Sequence, residues 1–237
     1  MFSFKGINFR DMNLRIIGEV EYTSTVRDIT VVKVPGRNGE VYIDNGRYES
    51  VERGLKAVLD LPGNANIEDS VTRIHNWLVS DPGEHELTLG NDRDFVYRAV
   101  ITDKQNITRL LRNYGRAVLR FRIHPIKYMR GGLEVVEIRD GAIINNPYPI
   151  NAEPRITVRG DGEIIIKIGE KVIDLRDVDE GIILDSEIET AFSLDGERTQ
   201  FDKVYSFPFP VLKPGDNVLT IPNNVSVSMI PRLGALV

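Results

Sequence analysis

Apolar and polar residues alternate with a period of two along much of this chain, and glycine, proline or asparagine closes most of the runs. Between Asp28 and Val34, the residues Ile29, Val31, Val32 and Val34 are β-branched, the composition of a half-buried strand. Pro35-Gly36-Arg37-Asn38-Gly39 follows. Proline presets φ and glycine or asparagine accepts positive φ, so Pro35, Gly36, Arg37 and Gly39 predict a chain reversal. Val41 to Ile43 open a second strand and Asp44-Asn45-Gly46 offers a second turn, so the pattern predicts two successive hairpins, a meander with edges to cover. From Tyr48 to Leu61, Val51, Leu55, Ala57, Leu59 and Leu61 fall on odd positions and Glu52, Lys56 and Asp60 on even ones. That alternation predicts a long strand with one wet face, stopped by Pro62-Gly63-Asn64.

One stretch follows a different period. Ile67, Val71, Ile74 and Leu78 recur at helical spacing behind Asn66, an N-cap residue, with Asp69 three positions on. Trp77, the single tryptophan, is expected to pack this helix on a sheet. Glu86–Leu89 and Phe95–Ile101 predict a hairpin across Gly90-Asn91-Asp92, and Leu14–Ile17 and Val20–Tyr22 predict short strands. In residues 116–123, Ala117, Leu119, Phe121 and Ile123 point one way and Arg116, Arg120 and Arg122 the other. Pro125 is expected to confine that strand to an edge or an end.

Arg139 to Pro154 holds three prolines, two adjacent asparagines and an Asp-Gly, which predicts a linker over 140–153 between domains 1–139 and 154–237. Short strands then follow closely, at Arg155–Val158, Ile164–Ile168, Lys171–Leu175, Ile182–Leu184, Thr190–Leu194, Val218–Ile221 and Val225–Met229. Regular short strands with almost no helical signal indicate a β-sandwich. The expected fold is mainly β, a β-rich first domain with one α-helix and a sandwich behind it.

Charge supports the division. Residues 1–140 carry 21 basic against 20 acidic side chains, whereas residues 141–237 carry 9 against 15. The chain has no cysteine, which excludes disulfides, thiol catalysis and Cys-ligated zinc. The start lacks a continuous apolar run, and no run is long enough to span a bilayer, so a protein made in the cytoplasm without membrane insertion is expected.

Candidate chemistry is sparse. The three histidines, His75, His85 and His124, match no metal-ligand spacing, no nucleophile elbow or phosphate loop occurs, and no catalytic, cofactor or metal site is expected. Asp174 to Gly181 carries four acids in eight residues, but the spacing departs from a Ca²⁺ loop and reads as a solvated turn. Lys104 to Arg130 holds eight basic residues and no acid. With Tyr114, Phe121 and Tyr128 interleaved it could meet nucleic acid, but alternation with core residues favours an interface between subunits, or a channel wall, at Arg116, Arg120 and Arg122.

Val34-Pro35-Gly36-Arg37-Asn38-Gly39-Glu40-Val41, behind a Phe4-Lys5-Gly6-Ile7 opening and ahead of a long strand, resembles the distal tail proteins of long, flexible-tailed phages of Gram-positive bacteria. The second half resembles the galectin-like sandwich of the same family. The matching residues are Pro154 to Gly160, Leu184-Asp185, Leu194-Asp195-Gly196 and, most specifically, Phe209-Pro210-Val211-Leu212-Lys213-Pro214-Gly215-Asp216-Asn217-Val218-Leu219. In that loop Pro210 and Pro214 brace the chain, Gly215 is expected to take an unusual φ, and Asn217 to bond the turn backbone. The resemblance implies a virion structural protein of the tail tip or baseplate. A homo-hexameric ring of first domains would join the tail tube protein to a tail-tip protein, with DNA only as passing cargo and the sandwiches docking a receptor-binding protein. It implies no cofactor and no turnover. The rival reading is a carbohydrate-binding, lectin-like module, which wants an exposed aromatic platform; the second half has no tryptophan, and Phe192, Phe207 and Phe209 read as core or loop anchors. A hydrolase is a distant third.

Overall fold

The computed structural model describes residues 2–63 and 65–237, so the expected turn residue Asn64 lies outside the described residues. The chain forms two compact units, Met1–Lys127 with Leu236–Val237, and Tyr128–Ala235. The division therefore falls before the expected boundary at 139/140. The two terminal residues return to the first unit, where the Val237 N–H donates to the Pro125 carbonyl at 2.9 Å.

In the first unit, β1 (Ser3–Phe4), β2 (Ile7–Asn8), β3 (Leu14–Ile16), β4 (Arg27–Lys33), β5 (Glu40–Tyr48) and β6 (Val51–Asp60) precede α1 (Ile67–Val79). After the helix come β7 (His85–Thr88), β8 (Phe95–Val100), β9 (Asn106–Leu111) and β10 (Tyr114–Met129). The main sheet runs β2-β1-β7-β8-β10-β6-β3, with β9 also paired to β10. Its longest ladder pairs β10 with β6 from Tyr114↔Asp60 to Ile123↔Val51. The helix covers one face. Asn66 caps it by accepting from the Glu68 N–H at 3.0 Å, and Ile67, Ile74, Trp77 and Leu78 are buried. Trp77 packs edge-on to Phe4 and Phe9, and its indole N–H donates to the Phe4 carbonyl at 3.3 Å. The expected docking of helix on sheet is therefore observed, with Leu55, Leu59, Leu119 and Phe121 in the same core.

Three local expectations fail. Val20–Tyr22 is not a strand. Asp44-Asn45-Gly46 does not turn the chain: β5 runs through it as a bulge, so the hairpin is single and the meander is absent. The Asn45 amide donates to Asp28 Oδ1 (2.8 Å) and Thr30 Oγ1 (3.0 Å) across the hairpin, and Gly46 takes φ +76°, which absorbs the extra residues. Pro125 does not end its strand. Pairing of β10 with β6 stops at Ile123, so the missing N–H of Pro125 is not demanded by that ladder, and the strand continues to Met129.

The second unit contains β11 (Val136–Ile138), β12 (Ile143–Asn146), β13 (Arg155–Arg159), β14 (Gly162–Ile168), β15 (Lys171–Val178), β16 (Gly181–Asp185), β17 (Thr190–Phe192), β18 (Gly215–Thr220) and β19 (Ser226–Ile230). A five-stranded antiparallel sheet, β11-β19-β13-β16-β17, and a four-stranded one, β12-β18-β14-β15, share one core. Ile156, Leu184 and Val227 come from the first sheet, and Ile166, Ile173 and Leu219 from the second. This is the expected β-sandwich, with observed strands close to those read from alternation. The stretch expected as a linker is part of it: β12 pairs with β18 from Ile143↔Val218 to Asn146↔Gly215. Gly181 shows how tightly the sheet is packed, since a Cβ there would stand 2.4 Å from the Val158 carbonyl oxygen.

Candidate assembly surfaces

Among the described residues, the hairpin of β4 and β5 pairs with no other strand. Its tip is built as the sequence requires: the Arg37 N–H donates to the Val34 carbonyl at 3.2 Å around Pro35 and Gly36, and Gly36 takes φ +80°, the signature of a type II turn. Gly39 also has positive φ, +82°. Cross-strand register puts Ile29, Val31 and Tyr42 on one face and Val32, Val41 and Ile43 on the other. Tyr42 is 66% exposed, Ile43 49% and Val31 48%. The charges on its two strands, by contrast, are paired within it. Arg27 meets Asp44 at 2.7 Å, Arg47 meets Asp28 at 2.6 Å and Lys33 meets Glu40 at 3.7 Å. Hydrogen bonds from Asn45 and Arg47 hold the Asp28 carboxyl below the usual carboxylate range. What remains on offer is apolar surface on both sides.

On β10 the arginines Arg116, Arg120 and Arg122 stand on the wet face, opposite buried Leu119 and Phe121. They do not act as one group. Arg122 meets Glu52 at 3.2 Å, and on the neighbouring strand Arg109 meets Glu68 at 2.8 Å. Arg116 and Arg120 instead border a groove of about 470 Å³ with Lys56 of β6 and Asn106 and Thr108 of β9, and no carboxylate lines it. Lys56 sits opposite Val118, and Thr108 opposite Arg116. Lys56 is readable from strand parity; Asn106 and Thr108 are not, because residues 106–111 show no unbroken alternation.

A charged network on the core side of the same unit was also missed. Arg53, 4% exposed, lies at an odd, inward position of β6, and that parity was the available signal. Its guanidinium stacks on Tyr22 at 5.4 Å and Tyr97 at 5.5 Å. The Tyr97 hydroxyl donates to Asp92, which Lys127 also meets at 2.8 Å. Burial and the Asp92 carboxylate push the Tyr97 phenol up. Burial alone would raise Asp92, but the bonds from Lys127 and Tyr97 prevail and hold it below its ordinary value. Tyr22 is bonded through its hydroxyl to Asn91, so this network ties the irregular segment ahead of β4 to the sheet.

In the second unit, Pro210, Pro214, Gly215 and Asn217 form a structural loop. Gly215 takes φ +87° as expected. Buried Asn217 accepts from the Lys213 N–H (2.9 Å) and donates to the carbonyls of Lys213 (2.8 Å), Gly215 (3.0 Å) and Ile144 (3.2 Å). Elsewhere Arg232 clasps Asp185 through two bonds of 2.6 and 2.9 Å and reaches Glu187 at 3.2 Å. Burial pushes Asp185 up, but Arg232 more than offsets this and its carboxyl is lowered; burial, then Glu187, pushes Glu153 up. Phe209 is a core anchor, whereas Phe207 is 51% exposed and packs on exposed Phe201 at 4.9 Å beside Tyr205. The outer face of the four-stranded sheet also exposes Ile143, Ile165, Val172 and Val218. Both leave apolar side chains on the surface. Among the described residues, no group of three or more His, Asp or Glu could hold a metal ion, and no helix is long and apolar enough to cross a membrane.

No family model matches the sequence, and the search of curated proteins finds no match. Solved structures do match. The chain is similar to the SPP1 Dit (gp 19.1) protein, described as a paradigm of the hub adsorption apparatus in phages infecting Gram-positive bacteria. The TM-score is 0.70 at 14% identity, covering 96% of each chain. It is also similar to chains of the phage P2 baseplate in its activated conformation with Ca and with Sr. The TM-score is 0.50 in both, at 9% and 10% identity, covering 92% of this chain and 90% of those. At such identities the likeness establishes architecture, and the chain has, over nearly its whole length, the two-part fold of the SPP1 Dit hub protein.

Proposed function

We propose that this chain is a structural hub protein of a phage tail tip or baseplate. Copies of the first unit close a ring, six in number, that joins the tail tube to the tail-tip proteins, and the second unit offers docking surfaces to receptor-binding proteins. Its work is done by geometry and interface strength rather than turnover, in the virion. The observation that carries this reading is the β4–β5 hairpin. A two-stranded hairpin alone is marginal in water, and this one leaves apolar residues on both faces and unpaired backbone on both edges. A neighbouring copy of the same chain supplies what is missing, and repetition around a closed ring removes the last free edge. The likeness to hub and baseplate chains supports this role and does not favour a carbohydrate-binding module.

The test is a charge placed on the hairpin face. Val31→Glu with Tyr42→Glu puts like charges on directly paired positions that touch no core. Self-association is expected to weaken by at least tenfold in the concentration of half-assembly, with the thermal melt of the single chain unchanged. Undiminished assembly of the variant contradicts the reading.

A further inference from the structure

The groove on the wet face of β10 gathers positive charge with no carboxylate in its lining. Three cations converge on it, Lys56, Arg116 and Arg120, and none of the three is ion-paired among the described residues. Their neighbours Arg122 and Arg109 are neutralised by Glu52 and Glu68, so the positive charge is concentrated at the groove rather than spread along the strand. The remaining polar lining, Asn106 and Thr108, adds an amide and a hydroxyl, which donate to oxygen acceptors. Val118 lies between the cations, and Gly54, opposite Arg120, contributes no side chain that would fill the space. Gln105 fixes the strand locally: its amide accepts from the Arg120 N–H at 2.8 Å and donates to the Arg120 carbonyl at 3.2 Å.

We infer that this groove holds the phosphate backbone of DNA. The chemistry is that of a sequence-independent site, with charge and hydrogen-bond donors directed at phosphate oxygens and no element placed to read bases. Arg116 and Arg120 are four strand residues apart, about 13 Å at the strand rise. One strand of B-DNA presents about four phosphates over that axial length. An exposed carboxylate surface on a protein partner is the competing occupant. It would satisfy the charge but would not require a concave, acid-free lining of this length.

Binding of a 20-base-pair duplex to the full chain, followed by fluorescence anisotropy against salt, tests the assignment. Three phosphate contacts predict a log–log salt slope of about −2.7, so affinity falls about 40-fold between 50 and 200 mM salt. The triple variant Lys56→Gln, Arg116→Gln, Arg120→Gln should lose that slope and bind at least tenfold more weakly. Arg116→Lys with Arg120→Lys should keep the slope, because the charges remain. Arg122→Gln, outside the groove, should leave binding as it was. Absence of duplex binding at 50 mM salt, or an unchanged slope in the triple variant, overturns the inference. So does competition by poly-glutamate as effective as that by DNA at equal charge. Light scattering on the same samples separates this result from the hub reading: loss of assembly in the triple variant without duplex binding by the parent chain would make the groove a protein interface.

Discussion

Arg232 illustrates how much a single side chain can decide. It is the cation beside Asp185, Glu187 and Glu153, and burial makes the Asp185 and Glu153 carboxyls sensitive to their neighbours. The signs differ. Asp185 is lowered in the folded chain, so its stabilisation is present above the unfolded carboxylate value and is lost as pH falls through the lower folded one. Glu153 is raised, so it costs stability above the unfolded value, and that cost is relieved as pH falls through its higher folded one. Acidification from neutrality should therefore raise the melting temperature slightly before lowering it below about pH 4, the ordinary carboxylate range. Glu153→Gln should abolish the initial rise and leave the later fall. A melt-versus-pH profile in which the variant keeps the rise would assign it elsewhere. Legibility at this scale tracked local backbone chemistry. Gly215 and Asn217 were readable because a proline-braced turn demands a positive φ and a backbone-bonding side chain. The Arg232 clasp was not, because its partners lie tens of residues away, and Arg53 is hidden because an arginine on an apolar parity conflicts with the pattern around it.

Elements were legible where one period ran unbroken and illegible where two signals competed. The helix, β6 and the sandwich strands β13, β14, β18 and β19 follow a single periodicity and stand close to where alternation or helical spacing puts them. Asn45-Gly46 is as good a bulge as a turn, and the cross-strand bonds of Asn45 to Asp28 and Thr30, invisible in sequence, decide for the bulge. The residues of β12 read as a linker because Pro147 and Pro149 follow directly, yet Ile143 to Asn146 pair with β18. The hairpin itself was clear in sequence, but its isolation was not, since pairing partners are a property of the whole sheet. That isolation has a measurable consequence. In the single chain the amides of Arg27–Lys33 and Glu40–Tyr48 should exchange with solvent much faster than those of β6 and β10. In the assembled protein they should become protected. Equal protection of hairpin and sheet in the dilute single chain would mean that the hairpin needs no partner.

At the scale of the whole molecule, the charge asymmetry and the change in strand spacing both pointed to two units, and two compact units exist. Their boundary was misplaced because β10 runs on past Pro125 and because both short strands after it, β11 and β12, lie in turn-rich sequence. The architecture matches a hub protein over 96% of both chains at 14% identity, so what is shared is the arrangement of strands rather than the side chains on them. The proposed ring closure takes its reason from the hairpin's exposed apolar faces. The mass of the full chain in solution, by light scattering at modest salt and followed by negative-stain imaging, tests this most directly. Six copies are expected, near six times 26.8 kDa, in a ring with a central hole. A strict monomer at high concentration, with the hairpin intact and exposed, would contradict it.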